Sequence, residues 1–237
     1  IISVSTTLKL LLAKGIVPDA TMLLDFQRIS LNFFNDVDPS LNIPMVLDTR
    51  ASVEAARCYK GPKIFIGDHI MNELLRDSDL PQVHLPEGGT VAHQALEFAN
   101  FIGADPIILM GQDLAYSKGV THIPGTSYFS FWKSDLNRFS SYELMEWRYI
   151  RMERENLLQS EDSDGNKLYV TKLFLTYKKE LEERFKQIKS QIINCTEGGQ
   201  QLLHTEQMTL KNAMEQFCGQ THDLSLIHIS EPTRPNE

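Results

Sequence analysis

The sequence predicts an α/β protein, with a mostly parallel sheet and flanking helices, followed by further helices toward the C-terminus. Two observations carry this prediction. Short, continuous apolar runs alternate with segments of helical periodicity, and most of these runs end in an acid or a glycine. Continuous apolar strands are typical of sheets that are covered on both faces, as parallel sheets are.

The first half of the chain contains the runs that define the predicted sheet. Leu8, Leu11 and Leu12 share one face of a first helix, which Lys14 and Gly15 close. A later amphipathic helix is predicted from Val91 to Ile102, before Gly103. Predicted strands lie at 1–4, 20–24, 43–47, 63–66 and 106–110.

The second half is predicted to be mainly helical. The predicted elements are a charged helix over 142–158, a polar turn over 161–166, an amphipathic helix over 171–193, a strand at 192–194 and a last helix over 205–217. We interpret residues 1–210 as one core domain and residues 211–223 as the start of a C-terminal helical region. Leu224–Arg234 resembles a translated sequencing adapter, so residues 224–237 are expected to be an artefact. The chain also starts at Ile1 inside a strand, and the natural protein is expected to extend beyond both ends.

Composition excludes several functional classes. The formal net charge is −8, which argues against nonspecific nucleic-acid binding. No apolar run reaches the roughly 18 residues of a membrane helix, so no membrane is expected as a partner. Cys58, Cys195 and Cys218 lack metal or redox spacing, which indicates a reducing compartment such as the cytoplasm. No metal site is assigned.

Acids follow four of the predicted strands, at Asp25, Asp48, Asp68 and Asp113. Ligands of parallel sheets bind outside the carboxyl ends of the strands, so these acids are candidate binding residues. Acids after strands also cap helices and form turns. We leave both interpretations open for Asp48 and Asp68, and favour function for Asp25 and Asp113.

The end of the 106–110 strand combines several suitable groups. Gly111 lets a ligand approach the backbone, and Gln112 offers a donor and an acceptor. Asp113 can accept from a sugar hydroxyl, bind a metal or act as a base. Tyr116 and His122 follow on a loop, where His122 is either a general acid–base group or a solvated histidine.

Two further segments carry alternative interpretations. Gly88-Gly89-Thr90 precedes a predicted helix, whose open N–H groups and dipole favour an anion, but the same residues could be a loop and an N-cap. Asn194–Gly199 follows the last strand and is either a second side of the cleft or a plain strand-to-helix turn.

Four segments in order resemble one known family. They are Gly15–Asp25, Gly88–His122, Asp164–Glu182 and Ile193–Leu202, and the strand followed by Gly-Gln-Asp-Leu-Ala is the most specific part. The chain resembles the motility associated factor family of bacterial flagellin glycosyltransferases, which shares its core with 6-hydroxymethylpterin diphosphokinase-like (MptE-like) proteins. The resemblance covers most of residues 1–210, without the family's usual upstream glycine-serine nucleotide loop.

The resemblance implies a Rossmann-like core of the sialyltransferase type. It also implies transfer of a nonulosonic acid, of the pseudaminic or legionaminic kind, from a CMP-activated donor to Ser or Thr of flagellin in the cytoplasm. Asp25 would bind ribose hydroxyls, and the base would be His122 or, as a second choice, Asp113. The resemblance marks these positions: Gly88, Gly89, Thr90, Gln112, Asp113, Tyr116, His122, Thr171, Asn194, Cys195, Thr196, Glu197 and Gly198.

Two alternatives to the glycosyltransferase remain open. The first is a pterin diphosphokinase-like enzyme that uses ATP, with Mg²⁺ bound by strand-end acids such as Asp113 and Asp25. The second is a non-catalytic binding protein on the same core. No other cofactor is predicted.

Overall fold

The computed structural model describes residues 1–67, 73, 82–86, 88–126, 129, 132–162 and 165–219. Asp68 and residues 220–237, which include the stretch expected to be adapter-derived, lie outside the described residues. None of the described helices combines the length and apolarity that are needed to cross a membrane.

A five-stranded parallel sheet forms the first half of the fold, and the parallel arrangement agrees with the prediction. The predicted strand at 106–110 does not belong to this sheet but to a second, smaller one. Its strands follow chain order across the sheet. They are β1 (Ile2–Val4), β2 (Ala20–Leu23), β3 (Met45–Asp48), β4 (Lys63–Gly67) and β5 (Gln82–His84). Strand β5 was not predicted, because it has only three residues, two of which are the polar Gln82 and His84.

Helices cover both faces of this sheet. Met45 and Leu47 of β3 pack toward α1 (Leu8–Ala13), α2 (Leu31–Phe34) and α3 (Val53–Cys58). Val46, which lies between them, packs with Phe98 of α4 (Val91–Phe101) on the opposite face. Because side chains alternate along a strand, a continuous apolar run is needed to fill two cores.

A smaller parallel sheet forms the second half. It contains β6 (Ile107–Leu109), β9 (Ile192–Asn194) and β10 (Glu206–Gln207), with β9 in the centre. Helices α4 and α6 (Lys172–Phe185) pack on it through a shared apolar cluster. The carboxylate of Glu97 in α4 accepts from the guanidinium of Arg184 in α6, which joins the two helices.

The helices predicted over 142–158 and 171–193 are both shorter than predicted and end at Met152 and Phe185. Helix α5 spans Tyr142–Met152, and the chain then turns into an antiparallel hairpin of β7 (Leu157–Glu161) and β8 (Lys167–Thr171). The predicted polar turn connects these two strands. Buried and exposed residues alternate over 167–170, which is the period of a half-buried strand. The last helix, α7 (Leu210–Phe217), begins five residues later than predicted.

Candidate functional site

Two loops meet at the carboxyl edge of the smaller sheet. The Gly111–Asp113 turn follows β6, and the Asn194–Gln200 loop continues from the end of β9. Because Leu109 and Asn194 are register partners in neighbouring parallel strands, both loops leave the sheet side by side. The Gln112 N–H donates to Thr196 Oγ1 at 3.0 Å, and this bond joins the turn to the loop.

Gly199 and Gln200 hold the turn from the other side. A Cβ on Gly199 would lie 2.3 Å from the Cα of Asp113, so a side chain would overlap this backbone. The φ of +70° would also strain any residue with a side chain. The Gln200 N–H donates to the Asp113 carbonyl at 2.8 Å, and its side-chain amide donates to the Leu114 carbonyl. Both residues lie within a segment that carried the family resemblance. Gly199 belongs to the stretch considered as a second side of the cleft, whereas Gln200 was not predicted to belong to the site.

The surface between the loops is open. Gly111 and Gly198 both have positive φ, and a Cβ on either would meet no neighbouring atom within 4 Å. The side chains of Gln112 and Asp113 are half-buried and have no hydrogen-bond partner among the described residues. Together with exposed Glu197, these groups offer a donor and several acceptors to a polar ligand.

Other predicted residues form the support of the site. Asn194 and Thr196 are buried, and the Asn194 side chain accepts from the Thr196 N–H at 3.0 Å. Buried Thr171 caps α6 by accepting from the Phe174 N–H at 3.1 Å. In these positions the hydroxyl and amide groups already have protein partners, which accounts for their residue types without a ligand.

Tyr116 is also buried. Its N–H donates to the Tyr169 carbonyl at 2.8 Å, and its ring lies edge-on to Phe174 at a centroid distance of 5.2 Å. Burial raises the pKa of Tyr116 to about 12, so the side chain remains a neutral phenol at physiological pH.

The Gly88-Gly89-Thr90 segment packs against α6 at Tyr177. This residue lies about one helical turn after Phe174, whose ring contacts Tyr116. A Cβ on Gly89 would lie 2.6 Å from the Tyr177 ring and 2.9 Å from the Glu180 carboxylate. Thr90 is the N-cap of α4 and accepts from the His93 N–H at 3.3 Å. These contacts favour the loop-and-cap interpretation, because the nearby carboxylate opposes an anion there, and anion binding by Gly88 and Gly89 stays a prediction.

His122 lies half-buried on the loop that follows Tyr116. Its Nδ1 is 3.2 Å from Thr121 Oγ1, and the Thr121 N–H donates to the buried carboxylate of Glu146 at 2.9 Å. Burial lowers the pKa of His122 below its ordinary value, which favours the neutral imidazole that a general base requires. Glu146 was not among the predicted residues, because it lies in a charged helix and belongs to no motif.

Asp25 and Asp48 belong to the larger sheet. The Asp25 side chain is half-buried, and burial raises its pKa. The Asp48 carboxylate accepts from the Arg50 N–H and guanidinium, which favours the structural interpretation of this acid. The described residues contain no group of three His, Cys, Asp or Glu that could hold a metal ion, and Mg²⁺ binding stays a prediction.

Comparison with known families identifies the first half of the chain. The model of the 6-hydroxymethylpterin diphosphokinase MptE-like family matches residues 1–119. The chain belongs to this family. The match contains the large sheet, the Gly111–Asp113 turn and Tyr116, and it ends before the Asn194–Gln200 loop. In this MptE-like chain, half of the site therefore comes from residues beyond those that the family model covers.

A solved structure shares the fold over a longer range. A MAf glycosyltransferase from Magnetospirillum magneticum AMB-1 superposes with a TM-score of 0.57 at 15% sequence identity, over 87% of this chain and 29% of the other. The MptE-like chain thus spans less than a third of that protein, and the likeness establishes the fold. A search of curated protein sequences gives no match.

Proposed function

We propose that this MptE-like protein is a glycosyltransferase that transfers a nonulosonic acid, of the pseudaminic or legionaminic type, from a CMP-activated donor to Ser or Thr of flagellin in the cytoplasm. One observation carries the proposal. It is that the Gly111–Asp113 turn and the Asn194–Gln200 loop form one open polar site. The fold likeness to a glycosyltransferase over 87% of the chain supports the same proposal.

The open groups suit a sugar donor. A nonulosonic acid presents several hydroxyls and a carboxylate, and the Gln112 amide can donate to either. The Asp113 carboxylate can accept from a sugar or ribose hydroxyl. Gly111 and Gly198 leave room for a polar ligand to reach the backbone N–H groups.

The reaction requires a base for the acceptor. The serine or threonine oxygen attacks the anomeric carbon while its proton passes to the base, and the bond from that carbon to the phosphate oxygen of CMP breaks. His122 is the first choice for the base, because burial favours its neutral form, and Asp113 is the second. The leaving phosphate is already an anion, so positioned donors matter more than a strong acid.

The proposal is tested with the full-length protein. Incubation with flagellin and a CMP-nonulosonate should increase the flagellin mass by whole sugar residues, at serine or threonine sites that peptide mapping can locate. An Asp113→Asn variant that keeps its fold is the negative control, which should transfer much less sugar. Donor binding without any mass increase on flagellin would contradict the proposal.

One observation favours a second candidate. The family description over residues 1–119 names a 6-hydroxymethylpterin diphosphokinase, which transfers diphosphate from ATP to a hydroxymethyl pterin. This activity predicts Mg²⁺-dependent release of AMP when ATP and the pterin are both present. If neither assay shows turnover while the donor still binds, a non-catalytic binding protein becomes the best description.

A further inference from the structure

The Asp113 carboxylate has an unusual setting for a candidate reacting group. No described side chain orients it, although protein carboxylates at reactive sites are commonly held by hydrogen bonds to their oxygens. Its direction must therefore be set by its own backbone. That backbone is followed by Leu114, a residue without glycine's freedom that nevertheless has a φ of +46°.

One residue holds this backbone. Gln200 is buried, with 4% of its surface exposed, and it donates to two consecutive carbonyls, those of Asp113 and Leu114. Buried hydrogen bonds compete little with water, so the pair of bonds restrains the turn strongly. Gly199 allows the close approach, because any side chain there would overlap the Asp113 backbone.

We propose that Gln200 is a positioning residue that fixes the direction of the Asp113 carboxylate, an inference that rests on the proposed transfer reaction. The two donors that contact the turn are the main-chain N–H and the side-chain amide of Gln200. Only the second depends on residue type. A glutamate at this position would place an acceptor against the Leu114 carbonyl, and an alanine would leave that carbonyl unbonded.

The neighbouring residue supplies a matched control. Gln201 has the same side chain, is exposed and takes no part in the site. We expect Gln200→Ala and Gln200→Glu to reduce kcat for transfer in the full-length protein by about ten- to a hundredfold, since small misplacements of reacting groups cost that much. KM for the CMP-sugar should change less than kcat, and Gln201→Ala should leave both unchanged.

A double-variant cycle separates positioning from general damage. If Gln200 acts through Asp113, Gln200→Ala combined with Asp113→Asn should be no slower than Asp113→Asn alone. Multiplied losses, or an unchanged kcat in Gln200→Ala, would overturn the inference. A purely structural role would instead lower Tm in both backgrounds and multiply the losses.

Amide hydrogen exchange gives an answer that does not depend on sugar transfer. Gln200→Ala should increase exchange over residues 111–116, whereas Gln201→Ala should not. If the wild-type protein transfers no sugar, the proposed function fails, and faster exchange in Gln200→Ala alone would still establish that Gln200 fixes the turn. Equal exchange in the two variants would overturn the positioning role whether or not transfer occurs.

Discussion

Two aspartates at strand ends, Asp48 after β3 and Asp113 after β6, show how differently the same residue type can be held. Asp48 is 5% exposed, and its oxygens accept from the Arg50 N–H at 2.7 Å and from the Arg50 guanidinium at 2.9 Å. The Asp113 carboxylate is half-buried and has no partner among the described residues, while its main chain is fixed by Gly199 and Gln200.

The difference indicates where function lies. A carboxylate whose oxygens are already bonded stabilises the fold and has little capacity left for a ligand. A carboxylate whose backbone is restrained but whose oxygens are free is prepared to bind something else. The contrast predicts that substitutions at the two aspartates affect different properties of the protein.

The largest effect is expected from breaking the support of Asp113. Gly199→Ala should destabilise the protein by about 3 kcal/mol, from left-handed strain of about 1 kcal/mol and overlap with the Asp113 backbone of about 2 kcal/mol. Transfer activity should fall by about a hundredfold or more, because the reacting group is displaced. Urea unfolding and the flagellin mass assay measure the two effects.

Gly15 supplies the control for this substitution. Its φ of +73° nearly equals that of Gly199, but a Cβ there meets no atom within 4 Å. Gly15→Ala should therefore show only the strain of about 1 kcal/mol and normal activity. Equal destabilisation by the two substitutions would mean that the contact with Asp113 is unimportant.

Replacing Asp113 and Asp48 by asparagine, each in a separate variant, compares the two aspartates directly. Asp113→Asn should lower kcat about a hundredfold and change the free energy of unfolding by less than about 0.5 kcal/mol, because no hydrogen bond is lost. Asp48→Asn should cost about 1–2 kcal/mol, because it weakens charged bonds to a half-exposed arginine, with activity unchanged. An Asp48→Asn protein that folds normally but is inactive would contradict the division of roles.

His122, the first choice for the base, extends the comparison to a histidine. Its pKa in the folded protein is lowered by burial, so below about pH 6.5 the unfolded chain binds more protons than the folded one. This stabilising contribution is complete above that pH and is lost as pH falls toward the folded-state pKa. Tm measured from pH 7.5 to 5.5 should thus decline less in His122→Asn than in the wild type.

The exposed residue His204 is the matched control for this experiment. The backbone of His204 lies in the left-handed region, at a φ of +62°, which asparagine tolerates. His204→Asn should keep the wild-type decline in Tm. If it flattens the profile as much as His122→Asn does, burial of His122 is not the cause.

The comparison also shows what sequence could and could not predict. The strand ends at Asp48 and Asp113 were predicted because apolar runs that stop abruptly mark buried parallel strands. Their difference depends on Arg50, two residues away, and on Gln200, 87 positions along the chain. The contact between Gln200 and Asp113 follows from the pairing of β6 with β9, which no local sequence pattern indicates. The β7–β8 hairpin was missed because Leu157 and Leu158 continue the periodicity of the preceding helix.

The smallest effect is expected at Asp25, a third strand-end aspartate beside Asp48 and Asp113. Burial raises its pKa, so the folded protein disfavours the carboxylate that predominates at neutral pH. Asp25→Asn removes this penalty and should raise Tm slightly at pH 7, with the gain vanishing as the pH is lowered and Asp25 becomes protonated in both states. Weaker binding of CMP by the same variant would support the ribose contact predicted for Asp25. A higher Tm with unchanged CMP binding would place Asp25 outside the site, leaving Asp113 as the strand-end acid on which the proposed transfer depends.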